Sequence, residues 1–98
     1  MGVVSGDSVI SILESANGDE ENFRNLDTGE PLLDRASDLV TANAYVGASA
    51  IVEALQAGCD LIITGRVADP SMVVAPCAFA HGWSLDDYDK LAGATVAG

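Results

Sequence analysis

The sequence predicts an α/β fold, a parallel β-sheet with βα repeats and flanking helices in Rossmann-like layering. Three observations carry that expectation. The apolar segments are aliphatic runs without polar interruption, as suits strands buried on both faces. Between them, apolar residues recur at helical spacing. Aromatics are scarce, 5% against 49% hydrophobic residues, so the core must rest on Val, Ile, Leu and Ala.

Gly2-Val3-Val4 is the first short strand, and it ends in Ser5-Gly6-Asp7. Val9, Ile12, Leu13 and Ala16 then fall on one helical face, with Asp7 or Ser8 in place to cap it. Asn17-Gly18 supplies the left-handed stop. Residues 19–37 depart from this rhythm: an acidic run, Asp19-Glu20-Glu21-Asn22, precedes turn residues set between apolar ones. A hairpin or loop excursion is expected there, with Gly29 at its turn and Pro31 confined to an edge.

A second strand is expected at 38–42, followed by Asn43-Ala44-Tyr45-Val46-Gly47 and a helix whose stripe is Ala48, Ile51, Val52 and Leu55. Gly58 stands where a helix-ending glycine belongs. Asp60-Leu61-Ile62-Ile63-Thr64 is the clearest strand. Asp69-Pro70 reads as an acidic cap followed by a first-turn proline. Pro76 should end or kink that helix, since proline there costs ~3 kcal/mol. Ser84-Leu85-Asp86-Asp87 has capping-box spacing and is expected to open a short helix to about Leu91-Ala92. Residues 1–98 thus read as a single α/β domain or as a fragment of a larger one. Three strands leave unpaired edges, so a homo-oligomer or further parts of a longer chain are the expected partners.

The formal charge of −11 disfavours nucleic acid and anionic membrane surfaces. No apolar run approaches the roughly 20 residues of a membrane span, and no basic signal segment precedes Asp7, so a cytoplasmic location is expected. Cys59 and Cys77 lack metal-type spacing and read as reduced small hydrophobes. No nucleophile, metalloprotease, phosphate-loop or dinucleotide motif occurs, and the sequence names no cofactor.

Parallel sheets bind ligands beyond the carboxyl ends of their strands. The three expected strand tips carry Asp7, then Asn43 and Tyr45, then Thr64, Gly65, Arg66 and Asp69. Gly65 permits close backbone approach, and Arg66 offers a planar fork for carboxylate or phosphate. Asp7 and Asp69 are the candidate catalytic carboxylates; two such acids can also hold Mg²⁺ through oxygen, although no metal site is assigned. Asn43, Tyr45, Thr64, Gly65 and Arg66 are the candidate substrate-binding residues. Each has a structural alternative: helix capping for Asp7 and Asp69, an ion pair for Arg66, turn chemistry for Asn43, a half-buried ring for Tyr45. His81, the single histidine, is read as a solvent-facing structural residue at a helix end, and Trp83 as packing at the helix–helix corner.

Asn43-Ala44-Tyr45-Val46-Gly47-Ala48, the segment from Ala54 to Asp60, Thr64-Gly65-Arg66-Val67-Ala68-Asp69 and the segment from Leu91 to Gly98 together resemble the acyclic terpene utilisation (AtuA-type) family, with Gly6-Asp7 and Leu26-Asp27-Thr28-Gly29 similar to it as well. The resemblance implies a longer protein with further sheet, and a setting in bacterial citronellol and geraniol catabolism through acyl-CoA intermediates. It carries over no catalytic residues. The leading expectation is a segment of a catabolic enzyme acting on a small carboxylate or acyl-CoA-like anion. The alternatives are a non-catalytic assembly subunit that completes its sheet with a partner, and a phosphate-binding module built on helix N-termini.

Overall fold

The computed structural model describes residues 1–15 and 23–98, with the side chains of 33, 35 and 36 set aside. The expected Asn17-Gly18 stop, the acidic run at 19–22 and the helical position of Ala16 lie outside the described residues. The described chain divides into two compact units, Met1–Asp7 with Ala44–Gly98, and Ser8–Asn43.

In the first unit, β1 (Gly2–Val4) and β2 (Ile62–Thr64) pair in parallel, with Gly2 opposite Ile62 and Val4 opposite Thr64. Their length is limited by the aliphatic runs that form them. α2 (Ser49–Gln56) follows the stripe read from the sequence, burying Ile51 and Val52. It closes on two reaching-back bonds, from Gly58 N–H to the Leu55 carbonyl at 3.0 Å and from Cys59 N–H to the Ala54 carbonyl at 3.1 Å. α3 (Ser71–His81) packs on α2 on one side and on α4 (Tyr88–Ala97) on the other. Ala75 and Ala78 are the small side chains at the centre, and with Val4, Ile51, Val52 and Val67 they make the core.

In the second unit, α1 (Ile10–Ser15) precedes a hairpin in which Arg24 bridges Pro31 in antiparallel fashion. Gly29 takes φ 74° there, and its N–H donates to the Asn25 carbonyl at 2.8 Å. A 3-10 helix follows at Leu32–Asp38. Leu13, Phe23, Leu32 and Leu39 wall a cavity of about 470 Å³ in this unit.

The fold is mixed helix and parallel sheet, as expected, but the described residues form two strands rather than three. Residues 38–42 are not a strand. Val40 is 88% exposed, and the segment is held instead by a Val9 N–H to Ala42 carbonyl bond of 2.9 Å and a Ser8–Asn43 antiparallel bridge. A β-prone run without a ladder partner gains nothing from extension.

Two helix boundaries also differ. α3 continues through Pro76, which lies exposed in its interior; burial of Val74, Ala75 and Ala78 offsets the lost hydrogen bond. α4 begins at Tyr88, later than expected, because Ser84 forms a local turn. Its carbonyl accepts from Asp87 N–H at 3.1 Å and its hydroxyl from Asp86 N–H at 3.3 Å. Lys90 pairs with Asp87 at 2.5 Å, and this hydrogen-bonded ammonium holds the Asp87 carboxyl below its ordinary value.

Candidate functional site

The carboxyl edge of β1 and β2 collects side chains from three segments of the first unit. β1 leaves through Ser5-Gly6 to Asp7, and β2 through Thr64 to Gly65-Arg66. Residues 44–46 lace across both exits. Ala44 N–H donates to the Asp7 carbonyl at 2.7 Å, Val46 N–H to the Arg66 carbonyl at 3.1 Å, and Ala68 N–H returns to the Val46 carbonyl at 3.0 Å. Tyr45 lies between the first two of these bonds and is thereby fixed at the same edge.

Two contacts define the chemistry. The Arg66 guanidinium sits over the Tyr45 ring, 5.5 Å from its centroid. Such a pair is worth about 0.5–1 kcal/mol at an exposed site, enough to bias where the cation stands. Among the described residues Arg66 has no ion pair, so none of the described acids consumes its donor fork. The Asp7 carboxylate, in turn, lies against the α-carbon of Gly65. A methyl carbon built at position 65 would come within 2.6 Å of the Asp7 Cγ and closer still to Oδ1. Gly65 is tied down by its own N–H, which donates to the Val4 carbonyl at 2.9 Å. A carboxylate and a guanidinium thus flank consecutive residues at one strand exit.

Thr64 faces Val4 across the ladder and also walls a groove of about 230 Å³, together with Ile51, Leu55, Ile62, Met72 and Pro76. Sequence reasoning missed this groove. Its signal in the sequence is the apolar stripe of α2, and a stripe alone does not show whether it faces a core or a cleft.

Asp69 is exposed at the approach to α3. Its side chain does not cap that helix, whose N-cap position falls on Pro70. The first amides of α3 are engaged locally: Ser71 N–H donates to the Ala68 carbonyl at 2.8 Å, Met72 N–H to Asp69 at 3.2 Å and Val73 N–H to Pro70 at 2.9 Å. An anion at this edge would therefore meet the guanidinium more readily than bare helix amides. Asn43 belongs to the second unit, where it bridges Ser8. His81 closes α3, roughly 15 Å of helix from its start at 1.5 Å per residue, and is exposed and stacked on Trp83 at 5.2 Å. No group of three or more His, Cys, Asp and Glu suited to a metal ion occurs among the described residues. No helix among them is long and apolar enough to cross a membrane.

Fold and edge together define an α/β chain with a carboxylate and a guanidinium at the exits of two parallel strands. The chain belongs to the acyclic terpene utilisation family: the model described as "Acyclic terpene utilisation family protein AtuA" matches residues 1–98. Membership suggests involvement in acyclic terpene utilisation. No curated protein and no solved structure matches the chain.

Proposed function

We propose that the chain forms part of a catabolic enzyme of acyclic terpene utilisation, and that the carboxyl edge of β1 and β2 receives a small carboxylate or acyl-CoA-like anion. Arg66 holds the anionic group, Asp7 and Asp69 handle protons, and Tyr45 and Thr64 orient the substrate over Gly65. The observation that carries this reading is the Arg66 guanidinium, without an ion pair among the described residues, set on Tyr45 at the same strand exit as the Asp7 carboxylate. General acid–base work needs such a carboxylate within hydrogen-bond reach of a bound substrate. The test is an NMR titration of the chain with acetate, using acetamide as the uncharged control. Arg66→Gln is expected to weaken acetate about tenfold, the lower end for a charge-assisted hydrogen bond, and to leave acetamide unchanged. Equal acetate affinity in both proteins would remove Arg66 from the role.

A second reading, an assembly domain that completes its sheet with a partner, is favoured by one observation. Val3, Leu61 and Ile63 are exposed on a single face of the β1–β2 pair, whereas parallel sheets are ordinarily covered on both faces. The mass of the chain in solution decides that reading.

A further inference from the structure

We infer that the groove beside β2 is the subsite for the aliphatic part of the ligand, which makes the ligand class an aliphatic carboxylate of medium chain length; the inference rests on the reading of Arg66 as the anion-binding group. The groove is lined by residues at both ends of β2, Ile62 and Thr64, so it follows the strand for about 7 Å at 3.3 Å per residue. Thr64 is at once a wall of the groove and the last residue of the strand, so one end of the groove lies at the exit that leads into Gly65-Arg66.

The lining chemistry selects the occupant. Ile51 and Leu55 of α2, Ile62 of β2, and Met72 and Pro76 of α3 present hydrocarbon. At roughly 30 Å³ per heavy atom, the share of a water molecule in the liquid, 230 Å³ takes about eight such atoms. Charge sets the direction. Asp60 stands at the end away from Thr64 and would repel a carboxylate; the Thr64 end carries the Asp7 carboxylate too, but there the Arg66 guanidinium, two residues beyond Thr64 and with no ion pair among the described residues, offsets it. On a chain of net charge −11, this is the position where an anionic head is welcome and an apolar tail has adjoining cover. The larger cavity of the second unit also carries an arginine, Arg24, whose Nη1 donates to the Gly29 carbonyl at 3.0 Å, and the acid Glu30 lines the same wall.

The experiment compares acetate with octanoate by NMR titration of the 98-residue chain at 0.15 M salt. Octanoate is expected to bind at least about tenfold more tightly, since each fully buried methylene is worth about fourfold and the groove is open along one side. Met72→Gln, an uncharged change at an exposed position, is expected to reduce this chain-length gain while leaving acetate affinity as it was. Arg66→Gln should weaken both ligands alike. Equal affinity for the two acids, or a gain undiminished by Met72→Gln, would overturn the groove assignment while leaving Arg66 in place. Indifference of both acids to Arg66→Gln would remove the anion site itself, and the inference with it.

Discussion

An alanine at position 65 would set its methyl carbon in the space now held by the Asp7 carboxylate. That carboxylate ends a short side chain with two rotatable bonds, so it can swing away where backbone could not. Gly65→Ala is therefore expected to fold, with stability changed by no more than about 1 kcal/mol, yet to move the Asp7 side chain. The check is the Asp7 carboxyl ¹³C resonance, which should shift clearly in the variant while the amide spectrum of α2 stays put. An unmoved resonance would mean that Gly65 does not shape the edge. Residue chemistry of this kind was partly legible in the sequence. Glycine before arginine at a strand tip signals close approach, but that Asp7 is the group approaching comes from two strands pairing across some sixty residues.

Elements were read well where local pattern and packing agree. The two aliphatic strands and the Ile51–Val52 stripe needed no distant information, because burial and periodicity coincide there. The failures share a cause. Leu39-Val40-Thr41 has strand propensity, but a strand exists only through a partner, and none pairs with it. Pro76 carries a stop signal that packing around Ala75 and Ala78 overrides. Ser84 carries a cap signal that is spent on a turn just before the helix, four residues ahead of Tyr88. At this scale the sheet also makes a prediction. Val3 and Ile63 are paired in register and 69% and 53% exposed, so they form a continuous apolar strip with Leu61. If the chain assembles through this strip, sedimentation equilibrium should show concentration-dependent mass that Val3→Ser with Ile63→Ser abolishes while acetate affinity is retained. A monomer at every concentration would remove the assembly reading.

At the scale of the molecule, the acidic surface and the Arg66 guanidinium at the strand exits work together. An excess of eleven negative charges repels small anions from most of the surface, and screening at 0.15 M confines that repulsion to about 8 Å. Attraction at Arg66 therefore stays local, which makes the position of binding a sharper test than its strength. The candidate site was legible as a set of residue types at strand exits. The lacing of 44–46 over both exits was not, because the backbone bonds that create it leave no mark on composition or periodicity. The most direct measurement is the map of ¹H–¹⁵N and methyl shifts when octanoate is added to the labelled chain. The account predicts changes gathered at Asp7, Tyr45, Gly65 and Arg66 and at the methyls of Ile62 and Met72. Changes confined instead to the Leu13–Phe23–Leu39 cavity of the other unit, or to Val3 and Ile63, would contradict it.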